Sequence, residues 1–184
     1  MKPLHFDIDT TWDGALLEPA AVAHARVSVA PDGVWFEVDA PWGGDPPPSS
    51  PPGPTERLWM FEVVEVFLCG PNAVYLEVEL GPHGHHLALR LEGVRRVVRS
   101  SIPLHYEVRR QAGRWQGRAC IALHEVPWPV VQANAFAIRG QGQARRYMAA
   151  IPTRGEQPDF HRLEAFAPVH GWTVEAVAKV TGTA

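Results

Sequence analysis

Apolar and polar residues alternate along much of this chain, most regularly between positions 58 and 91. Successive side chains of a β-strand point to opposite faces of a sheet, so this pattern predicts strands at 62–68, 73–80 and 86–91. Turns at Gly70-Pro71-Asn72 and Gly81-Pro82 separate them. The middle strand divides into two faces. The apolar face carries Leu76, Val78 and Leu80, and the polar face carries Tyr75, Glu77 and Glu79.

The third predicted strand repeats this alternation. We expect Leu87, Leu89 and Leu91 to join the apolar face, with Ala88 and Arg90 on the other. A sheet with this pattern packs on one face and is hydrated on the other. The hydrated face, with its carboxylates, is where we expect function to reside.

The rest of the chain predicts more short strands. They fall at 5–9, 22–29, 34–39, 94–98, 104–110, 115–123, 134–141 and 144–151, with a short helix at 173–180. About ten short strands with frequent turns are typical of an all-β fold, a sandwich or a barrel. We predict a single antiparallel β-sandwich domain over residues 1–184.

A proline-rich segment interrupts the strands at 41–54, where seven of fourteen residues are proline. Proline lacks a backbone donor, so neither a strand nor a helix is expected there. A linker between domains is the alternative, but the residues before it are too few to bury a core of their own. We therefore predict a surface loop of the kind that often carries function.

Composition narrows the classes of partner. The net charge of −3 indicates neither a nucleic-acid nor a membrane-binding surface. The two cysteines favour buried thiols over a disulfide. The first residues, MKPLHFDIDTTWDG, lack the apolar stretch of a secretion signal, so we expect a cytoplasmic protein. The oligomeric state is left open.

Three segments carry a resemblance to known proteins. They are the proline-rich stretch running into LWMFEVVEVF, then YLEVELGPHGHHLALRL, and then PDFHRLEAF. Together with FDIDTTWDG and NAFAIRG they resemble a family of uncharacterised proteins of animals and bacteria. More remotely they are similar to type 9 carbohydrate-binding modules and DOMON-like domains. That resemblance implies an antiparallel β-sandwich that binds sugars or, in some branches, haem.

The remote relatives suggest which aromatic residues to consider. Sugar-binding modules clamp a ring between two exposed tryptophans, and four are available here, Trp12, Trp35, Trp42 and Trp59. Haem-binding relatives use methionine and histidine ligands. Met60 and Met148 lie in no such motif, so we expect no haem and no other cofactor.

The carboxylates of the central strands have competing interpretations. Glu62 and Glu65 fall on opposite faces, and we expect Glu65 to pair with Arg139 or Arg118. It would then be either a buried ion pair or part of a ligand site. Glu77 and Glu79 are expected to be solvated or paired with Arg90, although paired carboxylates can also hydrolyse glycosides.

Two histidine-containing segments are further candidates. His83, His85 and His86 have a spacing that could hold a divalent metal, the alternative being simple loop polarity. Residues 160–164, FHRLE, are predicted to form a strap, with Phe160 packing on the sandwich and Arg162 meeting Glu62. A ligand site is the alternative for the strap.

We predict a non-catalytic module that binds a carbohydrate or another polyol. The alternatives are an enzyme for a sugar-like substrate that uses Glu65, Glu79 and His161, or a protein-interaction domain. No phosphate loop, nucleophile elbow or Cys-x-x-Cys pair is present. The loop, the histidine turn and the strap are expected to meet at one end of the sandwich. The predicted ligand site comprises Trp42, Trp59, Glu65, Tyr75, Glu77, Glu79, His83, Arg139, His161 and Arg162.

Overall fold

The computed structural model describes residues 1–182 and consists almost entirely of strands, joined by loops and short 3-10 turns. In chain order the elements are β1 (Leu4–Ile8), β2 (Thr10–Thr11), β3 (Ala23–Ala30), β4 (Gly33–Pro41), β5 (Val63–Cys69), β6 (Val74–Leu80), β7 (His86–Glu92), β8 (Val97–Arg99), β9 (Leu104–Gln111), β10 (Arg114–Ile121), β11 (Gln132–Arg139), β12 (Arg146–Ala149), β13 (Ala167–Pro168) and α1 (Val174–Thr181).

The strands form two antiparallel sheets, as predicted. The five-stranded sheet has the order β1-β3-β4-β10-β9, and the eight-stranded sheet has the order β2-β12-β11-β5-β6-β7-β8, with β13 paired to β11. The short helix α1 follows the sandwich, and its first turn is capped by the Thr173 hydroxyl, which accepts the Ala176 N–H at 3.3 Å. The predicted all-β sandwich is therefore confirmed. None of the helices in the part described is long and apolar enough to cross a membrane.

The main core lies between the two sheets. Strand β4 shows how the sequence builds it, because Val34, Phe36 and Val38 are buried while Trp35 and Glu37 between them are only half-buried. Strand β10, which pairs with β4 in the same sheet, alternates in the same way, with Trp115, Ala119 and Ile121 buried. Alternation of this kind is the signature of a sheet with one face on the core and one facing water.

The central strands of the eight-stranded sheet are different, since they are buried on both faces. Every residue of β5 is buried, and so is β6 from Tyr75 to Leu80. In the register, Leu87 lies opposite Glu79, Leu89 opposite Glu77 and Leu91 opposite Tyr75. Two predictions were therefore wrong: the carboxylate face is not hydrated, and the three leucines of β7 share that face.

A second apolar cluster covers this outer face. Residues 158–166, which contain the predicted strap and are called the strap from here on, pack across it. The Phe160 ring stacks on Phe136 of β11 with ring centroids 4.1 Å apart, and Phe166 meets Phe67 of β5 edge-on at 5.7 Å. Leu58, from the 3-10 turn before β5, is buried in the same cluster. Phe160 thus packs on the sandwich as predicted, although on its outer side.

The proline-rich segment is a surface loop that begins one residue later than predicted, because Pro41 still belongs to β4. Three backbone hydrogen bonds fasten its far end to the histidine turn. Gly53 N–H donates to Gly84 at 3.1 Å, His86 N–H donates to Gly53 at 3.1 Å, and Thr55 N–H donates to His86 at 2.9 Å. These bonds hold the loop against the start of β7.

Candidate functional site

A cavity of about 370 Å³ lies on the outer face of the eight-stranded sheet, beside the strap. It mixes apolar, aromatic and charged side chains. Its lining consists of Trp59, Glu65, Glu77, Leu89, Leu91, Arg95, Val97, Ile138, Tyr147, Pro158, Phe160 and His161. A mostly apolar cavity with a few convergent polar groups is the usual form of a small-molecule site.

Three glutamates make the floor of this region. Glu65 of β5 lies directly opposite Glu79 of β6, and Glu77 is two residues from Glu79 on the same face. They are 2%, 0% and 3% exposed, respectively. Glu65 and Glu77 line the cavity, whereas Glu79 lies beneath it. Strand alternation predicted that Glu77 and Glu79 share a face, and the antiparallel register adds Glu65 to them.

These carboxyl groups have few partners within residues 1–182. Oε1 of Glu65, Oε2 of Glu77 and both oxygens of Glu79 have no hydrogen-bond partner there. Burial raises the pKa of Glu65 to about 8, opposed by the charge of Arg145. Burial and the neighbouring glutamates raise the pKa of Glu77 and of Glu79 well above the ordinary value of 4.5. For Glu79 the Trp59 backbone N–H acts in the opposite direction, without reaching hydrogen-bond geometry. Burial therefore favours the protonated, neutral form of all three in the folded protein.

A histidine and an arginine line one side of the cavity, and a buried tyrosine supports both. The backbone N–H of Arg95 donates to the Tyr75 hydroxyl at 3.0 Å, and that hydroxyl lies 2.8 Å from Nδ1 of His161. Burial, assisted by the charge of Arg95, lowers the pKa of His161 to about 4. Because the Tyr75 hydroxyl already accepts the Arg95 N–H, its own proton is available to Nδ1, and in that tautomer Nε2 carries the ring proton.

The opposite side is aromatic. Trp59 is 38% exposed, and Tyr147 lies beside it under Arg145, whose guanidinium is 5.3 Å from the Tyr147 ring centre. Arg145 also donates to the backbone carbonyls of Trp59 and Met60 and to the Tyr147 hydroxyl. Arg145, which immediately precedes β12, thereby connects that strand to the turn that carries Trp59.

The structure brings six of the ten predicted site residues together. Trp59, Glu65, Glu77 and His161 line the cavity, while Tyr75 and Glu79 lie beneath it. No local pattern pointed to Arg95, Arg145 or Tyr147. Arg95 sits in the turn after β7 with a backbone φ of 59°, and only the fold places it over β6.

The predicted shared pocket around His83 and His161 does not form. His161 lies beside Tyr75 near the start of β6, whereas His83 follows its end at Leu80. The five residues from Tyr75 to Leu80 span about 17 Å of strand. Trp42 belongs to the His83 group, because Arg110 lies over its ring at 4.9 Å and also approaches His83 Nδ1 at 3.3 Å.

The histidine turn is occupied in holding the proline-rich loop. His83 Nε2 donates to the Asp45 carbonyl at 2.9 Å, and His85 Nε2 donates to the Ser50 carbonyl at 2.9 Å. The third residue, His86, packs edge-on against Tyr106. No three His, Cys, Asp or Glu side chains within 1–182 are grouped to hold a metal ion. Loop polarity, the alternative interpretation, describes this turn better.

The predicted arginine pairs are also wrong. Arg118 lies in the other sheet, over Trp35 and near Glu37, so it cannot meet Glu65. Arg139 ends β11 opposite Arg146, and the arginine that acts on Glu65 is Arg145.

Arg162 and Arg90 differ from expectation as well. Arg162 pairs with Glu164 at 3.2 Å and donates to the Arg154 carbonyl, while Glu62 accepts the N–H groups of Gly43 and Asp45. Arg90, on the face away from Glu77, donates to the Glu125 carbonyl. Sequence spacing cannot anticipate pairings between side chains that only the fold brings near.

A larger depression of about 800 Å³ lies on the outer face of the five-stranded sheet. Its polar side chains are paired with each other, for example His24 with Asp7 at 2.8 Å and Arg118 with Glu37 at 3.8 Å. Such mutual pairing is typical of a solvated sheet face. The cavity above the glutamates, where buried oxygens lack partners, is the better candidate.

An antiparallel β-sandwich with a lined cavity on one sheet is the class of protein that this fold and site define. A solved structure from Bacteroides uniformis, provisionally described as a carbohydrate-binding protein, has this fold. It matches 90% of this chain and 84% of its own with a TM-score of 0.67 and 12% identity. No protein-family model matches the chain.

Relatives that match about nine-tenths of the chain are found among animal proteins. The mouse protein UPF0462 C4orf33 homolog is 43% identical over 176 residues, 90% of each chain. The human protein UPF0462 C4orf33 is 39% identical over 172 residues, covering 89% of this chain and 86% of its own. The zebrafish homolog is 37% identical over 172 residues. This chain therefore belongs to the UPF0462 (C4orf33) family.

Proposed function

We propose that this protein is a binding module for a polyhydroxylated small molecule, a carbohydrate or a related polyol, which it holds in the cavity over the eight-stranded sheet. The observation that carries the proposal is the floor of the cavity, where buried carboxyl groups have oxygens without hydrogen-bond partners in the part of the chain described. Aromatic side chains line the cavity beside this floor. Buried polar atoms usually have partners, so a ligand that supplies them would offset their cost.

The polar groups suit hydroxyl groups in particular. A neutral carboxylic acid both donates and accepts a hydrogen bond, as a sugar hydroxyl does. Glu65 and Glu77 offer this at the floor, and the Nε2 proton of His161 adds a donor at the side. Trp59 and Tyr147 supply flat apolar faces against which the C–H face of a ring can pack.

The carboxyl groups favour binding over catalysis. Glycoside hydrolysis needs one protonated and one ionised carboxyl group in different environments. Glu65, Glu77 and Glu79 all lie in environments that raise the pKa. The structural similarity to the Bacteroides protein supports the fold, and its provisional description supports a carbohydrate as the ligand class.

Two tryptophans of similar exposure make a matched test. Trp59, 38% exposed, lines the cavity, and Trp42, 41% exposed, lies outside it beside Arg110. Isothermal titration calorimetry with mono- and oligosaccharides and inositol should detect binding to the wild type. Because stacking on an aromatic ring contributes about 0.5–1.5 kcal/mol, Trp59→Ala should weaken that binding by up to about tenfold, while Trp42→Ala should not.

Two outcomes would overturn the proposal. One is that no carbohydrate or polyol binds to the wild-type protein. The other is that Trp42→Ala reduces binding as much as Trp59→Ala while both variants keep the wild-type melting temperature.

A further inference from the structure

The floor of the cavity holds more acidic groups than hydroxyl recognition requires. Glu65, Glu77 and Glu79 lie on two adjacent strands, each at most 3% exposed. Four of their six oxygens have no hydrogen-bond partner within residues 1–182. Glutamine would offer hydroxyl groups the same donor and acceptor without the potential for charge. Three acids at one place therefore indicate a ligand that uses negative charge.

The arginines nearest to the floor are already engaged. Arg95 forms a two-pronged pair with Asp159 of the strap, at 2.9 and 3.3 Å. Arg145 donates to the carbonyls of Trp59 and Met60 and to the Tyr147 hydroxyl. Both guanidinium groups therefore act on Glu65 and Glu77 through their charge and not through a hydrogen bond. In the part of the chain that the structure describes, the floor therefore has no ion pair.

We propose that the ligand carries a protonated amine, as an amino sugar does, and that Glu65 and Glu77 bind this ammonium group at the floor of the cavity. The inference rests on the proposed function, which supplies the position of the ligand in the cavity and its polyhydroxylated character. An ammonium group has three donors and no acceptor, which matches a floor of unpartnered carboxylate oxygens. Opposite charges in a partly desolvated site attract each other strongly.

Binding then involves one proton. A neutral glutamic acid and an ammonium ion become a carboxylate paired with the ammonium ion, and the carboxyl proton passes to the solvent. The other titratable or charged groups near the floor are Arg145 just before β12, Arg95 from the turn after β7, His161 from the strap, Tyr75 from β6 and Glu56.

The experiment compares sugars that differ only in one group. Titration calorimetry of the full chain would use glucose, galactose and mannose against glucosamine, galactosamine and mannosamine. We expect at least one amino sugar to bind about tenfold tighter than its neutral parent, since that factor corresponds to a single charge-assisted hydrogen bond. Repeating the titration in two buffers of different ionisation enthalpy should reveal the released proton.

Variants then locate the ammonium group. Glu77→Gln and Glu65→Gln keep the size and hydrogen-bonding groups of the side chain but remove the charge. Each should reduce the preference for the amino sugar over its neutral parent about tenfold, because only the amino sugar loses a charge-assisted hydrogen bond. Glu107→Gln, on the exposed side of β9, is the matched control and should leave both affinities unchanged.

The outcomes separate this inference from the proposed function. If neutral sugars bind and their amino counterparts bind no tighter, the cationic ligand is wrong and the carbohydrate site stands. If no sugar of either kind binds, both are wrong. If Glu77→Gln and Glu65→Gln bind the amino sugar as tightly as the wild type, the ammonium group is not at this floor. Stabilisation by calcium or magnesium chloride alone would also contradict the inference, because the acids would then serve an inorganic cation.

Discussion

The three glutamates of the central strands dominate this protein at the scale of the single residue. Carboxyl groups this deeply buried normally have ionic or hydrogen-bonding partners, because an unpartnered buried charge costs several kcal/mol of stability. Here the groups avoid that cost by staying protonated. Strand alternation predicted that Glu77 and Glu79 lie together. What covers them depends on a segment about eighty residues later in the chain, whose position the local pattern cannot indicate.

The raised pKa of Glu65 predicts a pH-dependent effect of Glu65→Gln. In the folded protein Glu65 binds its proton up to about pH 8, but in the unfolded chain it ionises near 4.5. Between these values the folded state holds more protons, so the wild type loses about 1.4 kcal/mol of stability per pH unit from this residue. The variant does not titrate there. Urea unfolding should show it to be more stable than the wild type at about pH 8.5.

The comparison has two internal checks. Near pH 4.5 and below, Glu65→Gln and the wild type should have the same free energy of unfolding, apart from a constant difference caused by replacing the carboxyl group with an amide. Glu107→Gln, which alters an exposed glutamate, should show no difference that grows with pH. An advantage of Glu65→Gln that is constant across the pH range would contradict a titration mechanism.

At the scale of the elements, the strap is the segment that converts an ordinary sheet face into a cavity. Phe160 and Phe166 pack on Phe136 and Phe67, and the same segment brings His161 to Tyr75. Sequence analysis predicted the strap and its packing phenylalanine. It did not predict which end of β6 the strap crosses, because that depends on long-range packing and not on residue spacing.

Truncating the central aromatic ring of the strap should destabilise the protein. Removal of a buried phenylalanine side chain costs about 3–5 kcal/mol, from lost burial and the space left behind. Phe160→Ala should therefore lower the melting temperature by roughly 6–20 °C in a chain of this size. Differential scanning calorimetry measures this directly.

Leu16→Ala provides the control for that truncation. Leu16 is 83% exposed, so its loss should change the stability by no more than about 0.5 kcal/mol. A wild-type melting temperature for Phe160→Ala would show that the strap contributes little to the fold.

At the scale of the whole molecule, the buried ionisable groups set the pH of greatest stability. Burial lowers the pKa of His161 from 6.5 to about 4, so its contribution is lost as the pH falls through that window. The glutamates act in the opposite direction, since the stability that they contribute falls as the pH rises above 4.5. For Glu65 this fall continues to about pH 8. Above pH 6.5 only the glutamate effect remains.

We therefore expect a maximum of stability on the acid side of neutrality. The free energy of unfolding from urea titrations should be larger at about pH 5.5 than at about pH 8.5. Burial raises the pKa of Asp39, but the hydrogen bonds from Gln116 and Arg114 outweigh it, so the pKa is lowered overall. The stability that Asp39 contributes is therefore lost at low pH, which limits the stability of the protein on the acid side. A free energy that stays level or rises from pH 5.5 to 8.5 would contradict the assignment of three neutral buried acids.

The sequence by itself determined the all-β sandwich, the surface position of the proline-rich loop and the faces on which most strand residues lie. Alternation, proline and turn residues act locally, so their effects can be deduced from neighbouring positions. Six of the ten predicted site residues meet around one cavity for the same reason, since four of them alternate on β5 and β6. Only the tertiary structure decided that this face is covered, that Leu87, Leu89 and Leu91 belong to it, and that Arg95, Arg145 and Tyr147 complete the site. Those outcomes depend on register between strands and on the path of the strap, which are set by packing among residues far apart in the chain.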